Sequence, residues 1–107
     1  MKVLNNDLKT STFKSIYVLS GDDAFLINSY KKRLKTAIIG DDSMNFAYFE
    51  GKGIDIDAVI NFSDTLPFFS EFRCILIEDS QWFKSGNERF LSYLLSKPES
   101  TKFIFVE

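Results

Sequence analysis

Arg73-Cys74-Ile75-Leu76-Ile77 is a largely apolar run, typical of a β-strand that is covered on both faces. Three further runs predict strands at residues 16–19, 45–49 and 102–106. Helical patterns separate these strands along the chain, and strands joined in this way form a parallel sheet by right-handed crossovers. The predicted fold class is therefore α/β, with a parallel sheet that carries helices on both faces.

Four helical patterns accompany the strands. Their proposed inward-facing positions are Leu4 and Leu8; Leu26, Tyr30, Leu34 and Ile38; Ile56, Val59, Ile60 and Ser63; and Phe90, Leu91, Leu94 and Leu95. Pro67 and the pair Lys97-Pro98 mark the limits of the last two helices, since proline disfavours helical geometry in the residue before it. The first helix is short, and we expect it to cap an edge of the sheet.

The chain has the size and composition of one globular domain. It has 107 residues, of which 45% are hydrophobic and 26% charged. We therefore assign residues 1–107 to a single domain. The sequence stops at Glu107, directly after an apolar strand that should be buried, and from this we expect the chain to be a fragment of a longer multidomain protein.

Several kinds of chemistry are excluded by residues that the chain lacks. Histidine is absent and cysteine occurs once, which removes Ser-His-Asp and Cys-His catalysis, His/Cys zinc sites and internal disulfides. We predict no catalytic residue and no metal site. Cys74 lies in an apolar run and is expected to be a buried, reduced thiol, which suits the cytoplasm. The net charge of -2 provides no general field for nucleic acid or for a membrane.

The carboxyl ends of the predicted strands, where ligands bind in open α/β sheets, are acidic. The side chains concerned are Asp22, Asp23, Glu50, Glu78, Asp79 and Glu107. A phosphate-binding loop of the form GxxxxGK[ST] that began at Gly21 would need glycine, lysine and a hydroxyl at Leu26, Ile27 and Asn28. None of the three is present, so we predict neither nucleotide hydrolysis nor a bound cofactor.

Two explanations of the acidic edge stay open. In one, Asp22 or Asp23 caps the helix that starts at Ala24, where a carboxylate accepts hydrogen bonds from free N–H groups. In the other, the chain is a receiver-like, magnesium-dependent phosphotransfer domain, with Asp22 and Asp23 on the metal and Asp79 as phosphoryl acceptor. The separation of Asp23 from Asp79 is long for such domains, and capping is favoured.

Lys31-Lys32-Arg33-Leu34-Lys35 is the single basic cluster in the sequence. It could contact phosphate groups of nucleic acid. The same residues also suit the polar face and C-terminal half of an amphipathic helix, where cations are stabilised by the helix dipole and by water. The second interpretation is favoured.

An apolar corner is predicted at Leu66-Pro67-Phe68-Phe69, between the third helix and the third strand. Because that helix runs back against the strand direction, the corner should lie at the amino edge of the sheet, opposite the usual ligand edge. The two rings could instead fold into the core. We expect at least one of them to be exposed.

Four segments, taken in order, resemble the family of DNA polymerase III delta subunits. They are YVLSGDDAFL (17–26), NFAYFEG (45–51), TLPFFSEFR (65–73) and TKFIFVE (101–107). The resemblance implies a clamp-loader component that opens the ring-shaped sliding clamp. It also implies the N-terminal part of a degenerate P-loop NTPase, an AAA+-like module without a working ATP site. Family members are longer, with a lid and a collar domain.

The resemblance further implies a clamp-binding site at Phe68 and Phe69, with Leu66 beside them. The implied partners are the sliding clamp (the beta subunit), other clamp-loader subunits and, through the assembled complex, primed DNA. The chain would be a non-catalytic subunit of the DNA polymerase III holoenzyme. Two positions depart from the family pattern: Asp23 replaces a common Glu, and Phe72 adds a ring that could compete with Phe69 as anchor. A structural domain with another partner remains the third hypothesis.

Overall fold

The computed structural model describes residues 2–10, 12–41 and 43–107. In chain order the elements are α1 (Lys2–Thr10), β1 (Ile16–Leu19), α2 (Ala24–Ile39), β2 (Phe46–Glu50), α3 (Ile56–Asp64), β3 (Arg73–Glu78), α4 (Trp82–Ser85), α5 (Glu88–Leu94) and β4 (Thr101–Val106). Each predicted strand is present, with both ends within one residue of the prediction. The four predicted helices are also present, and α4 is an additional short helix.

The four strands form one sheet in the order β1-β4-β3-β2, and every neighbouring pair is parallel. The central strands β3 and β4 are buried along nearly their whole length, whereas β1 and β2 lie at the two edges. A strand that is buried on both faces is apolar at successive positions, which explains the run at residues 73–77. The predicted α/β class with a parallel sheet is confirmed.

Successive side chains of β3 point into two separate cores. Cys74 and Leu76 belong to the core that α1 and α2 cover, whereas Ile75 and Ile77 belong to the core on the α3 and α5 side. This is the alternation that the pleat of a strand requires. Helices therefore cover both faces of the sheet, as predicted. Among the described residues, no helix is both long enough and apolar enough to cross a membrane.

Helix α2 begins at an aspartate cap and ends at a glycine. The side chain of Asp23 accepts a hydrogen bond from the Leu26 N–H at 3.0 Å, and Gly40 ends the helix with a φ of 63°. Three residues of the predicted stripe, Tyr30, Leu34 and Ile38, are buried, but Leu26 is 42% exposed and its inward prediction was wrong. Residues four apart turn by about 40° relative to one another, so the three steps from Leu26 to Ile38 add up to about 120° and carry Leu26 off the buried face.

The other helices confirm their predicted stripes only in part. In α3, Val59 and Ser63 are buried while Ile56 and Ile60 are half-buried. In α5, Phe90 is buried and Leu94 is half-buried, whereas Leu91 and Leu95 are exposed; their inward prediction was wrong. Leu95 lies beyond the end of α5, and Leu91 is turned about 100° from Phe90.

Helix α1 packs on the same face of the sheet as α2, beside the edge strand β1. Leu4 is buried in the α2-side core and Leu8 is partly buried against it. The Tyr17 hydroxyl of β1 donates a hydrogen bond of 2.7 Å to the Asp7 carboxylate of α1, which ties the helix to the strand.

Candidate functional site

Residues 65–72 connect α3 to β3, and they carry a cluster of exposed apolar side chains at the amino edge of the sheet. We call Leu66, Pro67, Phe68 and Phe69 the apolar corner. The exposed fractions are 79% for Leu66, 50% for Phe68 and 95% for Phe69, and Pro67 is half-buried. The prediction that at least one ring is exposed is confirmed, and the alternative that both rings belong to the core is excluded.

The rings of Phe68 and Phe69 form one apolar knob. Their centroids are 4.5 Å apart and their planes meet at 74°, an edge-to-face arrangement that the ring quadrupoles favour. Contiguous exposed apolar surface of this kind marks interaction sites more often than isolated apolar side chains do. The arrangement offers a partner two adjoining rings and a leucine.

Asn45, immediately before β2, holds the backbone of the apolar corner from the other side of the loop. Its Oδ1 accepts from the Phe68 N–H at 2.7 Å, and its Nδ2 donates to the Phe68 carbonyl at 2.8 Å. The Asn45 side chain is fully buried, and its own carbonyl accepts from the Cys74 N–H at 2.8 Å. The corner is thereby attached to the starts of β2 and β3, which places it at the amino edge as predicted.

Arg73 provides a second attachment. Its Nε donates to the Leu66 carbonyl at 3.3 Å, and its guanidinium lies 4.3 Å from the centre of the Phe62 ring. Arg73 is the first residue of β3 and is buried, so Leu66 is connected directly to a central strand. Sequence reasoning treated Asn45 and Arg73 only as ends of strands, because their contacts to the corner are tertiary.

Phe69 has a left-handed backbone, with a φ of 53°. For a residue other than glycine this conformation costs about 1–2 kcal/mol. The carbonyl of Phe68 belongs to the peptide plane that joins Phe68 to Phe69, and the φ of Phe69 is a rotation relative to that plane. The hydrogen bond from Asn45 Nδ2 to this carbonyl therefore restrains the φ of Phe69. The strained conformation accompanies a ring that is almost entirely exposed.

Phe72, the predicted competitor of Phe69, occupies a different environment. Its ring is partly buried against the α2-side core and makes an edge contact with Phe13, with 6.0 Å between centroids. The Lys102 ammonium lies 5.3 Å from the centre of the same ring. Phe72 therefore supports the base of the loop, and Phe69 is the more exposed ring.

At the carboxyl edge, three of the acidic side chains, Asp23, Glu78 and Glu107, have partners within the domain. Asp23 caps α2, which confirms the capping interpretation for that residue. Glu78 accepts from Lys31 at 2.9 Å. Glu107 accepts hydrogen bonds from the Ser80 hydroxyl and from the Gln81 N–H.

The receiver-like alternative needs Asp22 and Asp23 on a magnesium ion, with Asp79 close by as the phosphoryl acceptor. Within residues 2–10, 12–41 and 43–107, no group of three or more Asp, Glu, His or Cys side chains is placed to hold a metal ion. Asp23 is engaged as the helix cap, and Asp79 has a left-handed backbone whose N–H donates to the Val106 carbonyl at 2.9 Å. The receiver-like alternative is not supported.

The basic cluster of α2 is divided among separate contacts. Lys31 pairs with Glu78, the Arg33 guanidinium lies 5.0 Å from the Tyr30 ring, and the Lys35 ammonium lies 4.1 Å from the Phe46 ring. These cations point to different neighbours, so the cluster is not arranged as one phosphate-binding patch. The helix-face interpretation is favoured.

Cys74 is fully buried in the α2-side core. Burial disfavours the thiolate and raises the pKa of Cys74 to about 12. The thiol is therefore protonated at neutral pH, which agrees with the predicted buried, reduced side chain.

Fold and site together define an α/β domain whose exposed apolar surface lies opposite the usual ligand edge of the sheet. The family model described as "DNA polymerase III, delta subunit" matches residues 17–106. The chain therefore belongs to the DNA polymerase III delta subunit family. The resemblance found in the sequence is confirmed.

A solved structure of the same kind is the Bacillus subtilis DNA clamp loader delta protein, YqeN. The TM-score is 0.81 at 21% sequence identity, and the match covers 98% of this chain. At this identity the likeness establishes the fold. The chain spans about a third of the Bacillus protein, since 34% of that chain is covered. No curated protein sequence matches the chain significantly.

Proposed function

We propose that this chain binds the DNA sliding clamp through the apolar corner and takes part in opening the clamp as a clamp-loader subunit. The observation that carries the proposal is the exposed pair Phe68 and Phe69, held at the amino edge of the sheet with Leu66 beside it. These are the positions to which the family resemblance assigns the clamp contact. Membership in the delta subunit family supports the same partner.

The exposed area of the rings sets the scale of the interaction. Full burial of one Phe side chain is worth about 1.5–3 kcal/mol. Phe69 is 95% exposed and Phe68 is 50% exposed, so the pair offers about 2–4.5 kcal/mol on burial. Micromolar binding requires about 8 kcal/mol, before the loss of translational and rotational freedom is counted. Leu66 and polar contacts from the rim of the corner, at Ser70 and Glu71, must supply the remainder.

The remaining features of the proposal follow from the family and from the sequence. The chain acts without ATP of its own, because residues 26–28 lack the groups of a phosphate-binding loop. Its further partners are other clamp-loader subunits, and it reaches primed DNA through the assembled complex. The domain is the N-terminal AAA+-like part of a longer subunit, and it works in the cytoplasm.

The test is to measure binding to the purified DNA polymerase III beta subunit by biolayer interferometry. The double variant Phe68→Ala/Phe69→Ala should bind about a hundredfold more weakly, because the area lost corresponds to about 2–4.5 kcal/mol. Its thermal stability should stay close to that of the unaltered chain, since both rings are exposed. Phe25→Ala is the matched control, because Phe25 is 84% exposed at the opposite end of the sheet.

Three outcomes would refute the assignment. A double variant that stays folded and binds the clamp normally moves the interface to another surface. A double variant that unfolds makes the rings part of the core. Equal losses for Phe25→Ala and for the double variant would show that binding responds to exposed aromatic surface in general.

A further inference from the structure

We infer that Asn45 is a positioning residue, whose side-chain amide fixes the peptide between Phe68 and Phe69 so that both rings are presented at the apolar corner. The inference rests on the proposed clamp-binding function and adds the residue that sets the shape of the binding surface. Asn45 itself is buried and does not form part of the exposed corner.

Asn45 is suited to this role because it is fixed at its own backbone and binds Phe68 on both sides. The Cys74 N–H donates to the Asn45 carbonyl at 2.8 Å, which attaches Asn45 to central strand β3. The side-chain amide then accepts from the Phe68 N–H at 2.7 Å and donates to the Phe68 carbonyl at 2.8 Å. A primary amide is the neutral side-chain group that offers a donor and an acceptor in this geometry.

The donated bond governs the conformation of Phe69. It holds the Phe68 carbonyl and therefore the peptide plane from which the φ of Phe69, 53°, is measured. Without that bond the peptide can rotate, and Phe69 can return to the negative φ that L-residues prefer. Its ring would then leave the position 4.5 Å from the Phe68 ring. The knob would become two separate, mobile side chains.

Two variants separate the two hydrogen bonds. Asn45→Ala removes both. Asn45→Asp has nearly the same shape and keeps an acceptor for the Phe68 N–H; measured at a pH at which its carboxyl group is ionised, it cannot donate to the Phe68 carbonyl. Ser80→Ala is the control for general destabilisation, because Ser80 is buried and its hydroxyl bonds to Glu107 at the opposite edge of the sheet.

The first readout is NMR on the free chain. In Asn45→Ala we expect the Phe68 amide to exchange with solvent about tenfold faster or more, relative to the Ile75 amide of β3, because only the local hydrogen bond is lost. In Asn45→Asp the Phe68 amide should stay protected. In both variants the three-bond coupling between the amide and α protons of Phe69 should change, as its φ relaxes.

The second readout is binding to the purified DNA polymerase III beta subunit. We expect Asn45→Ala and Asn45→Asp to weaken the affinity about tenfold, which corresponds to about 1.4 kcal/mol. Ser80→Ala should bind as the unaltered chain does. A merely structural role predicts something different: Phe68 and Ile75 would exchange faster together, and the Asn45 variants would bind no worse than Ser80→Ala.

Each remaining outcome is decisive. The inference is overturned if both Asn45 variants unfold, if the coupling of Phe69 is unchanged in a folded variant, or if a folded variant binds the clamp with normal affinity. If the unaltered chain does not bind the clamp, the proposed function is refuted, and the exchange and coupling data alone decide whether Asn45 sets the conformation of Phe69.

Discussion

Exchanging Phe69 for glycine or alanine tests whether the left-handed backbone at the apolar corner exists in solution. The two variants lose the same exposed ring, so the difference between them isolates the backbone. At a φ of 53° alanine carries a strain of about 1–2 kcal/mol that glycine does not. Against this, the unfolded chain has more conformational freedom with glycine than with alanine, which destabilises the glycine variant by about 0.4–1 kcal/mol. The balance predicts that Phe69→Gly is the more stable variant by about 1 kcal/mol.

Urea unfolding measures this difference directly. The midpoints should differ while the slopes stay equal, since the surface exposed on unfolding is the same in both variants. A thermal scan should show a difference of about 4 °C or more for a domain of this size. The control pair is Lys32→Gly and Lys32→Ala, at an exposed position inside α2, where alanine should be the more stable by about 1 kcal/mol.

The decisive result is which variant is more stable at each position: glycine should be more stable than alanine at position 69, and alanine more stable than glycine at position 32. If Phe69→Ala is as stable as Phe69→Gly or more stable, Phe69 does not hold a left-handed backbone in solution. Clamp binding adds a second comparison. We expect both Phe69 variants to bind more weakly than the unaltered chain although Phe69→Gly keeps its stability, so that loss of affinity and loss of stability are separated.

Three other measurements check separate parts of the argument. Calorimetric titration with Mg-ATP should give no saturable binding, and micromolar binding that is lost on changing residues 26–28 would contradict this. Thiol reagents at pH 8 should label Cys74 only after unfolding, because its pKa is raised to about 12; rapid labelling of the folded chain would contradict its burial. The hydrogen bond from Tyr17 lowers the pKa of Asp7 below 3.8, so the ionised carboxylate stabilises the fold above that pH and this stabilisation is lost as the pH falls through the folded pKa. Asp7→Asn should therefore lose less stability on acidification below pH 3.8 than the unaltered chain does. If urea unfolding gives the same fall in the free energy of unfolding below pH 3.8 for both, Asp7 does not contribute to the pH dependence of stability.

The strands could be predicted from the sequence because a parallel strand that is buried on both faces is a continuous run of apolar residues. Residues 73–77 lie between two helix-covered faces, and each successive side chain must be apolar or paired. The helices were located by the same reasoning, but their inner faces were less well predicted. A short helix such as α5 ends before its pattern repeats, which is why Leu95 was assigned inward and is exposed.

Helix α4 was not predicted, because its cause is tertiary. Its N-cap, Gln81, makes no side-chain capping hydrogen bond and has a φ of 64°. The helix is held by Trp82, whose ring lies 4.9 Å from that of Phe90 and 6.0 Å from that of Phe105. No local pattern in residues 79–87 records these contacts.

In the candidate site, too, some features follow from the local sequence and others from tertiary contacts. Pro67 and the adjoining apolar residues are sufficient to predict a corner, because proline restricts the residue before it. The difference between Phe69 and Phe72 is not contained in that local pattern. Phe72 is held by Phe13, which lies in a distant part of the chain, so the structure was needed to distinguish the exposed ring from the packed one.

If the apolar corner is a binding surface, its hydrogen bonds to Asn45 and Arg73 reduce the free-energy cost of binding. Two rings of which one is already half-buried offer about 2–4.5 kcal/mol, well below the 8 kcal/mol or so of micromolar affinity. Ordering one flexible side chain on binding costs about 0.5–1.5 kcal/mol, which would remove much of that gain. Because Asn45 and Arg73 hydrogen-bond to the loop in the free domain, the loop is ordered when the domain folds. Binding then loses less conformational entropy. The left-handed backbone of Phe69 belongs to the same arrangement: it slightly lowers stability, and it holds the Phe69 ring beside that of Phe68 in the free domain.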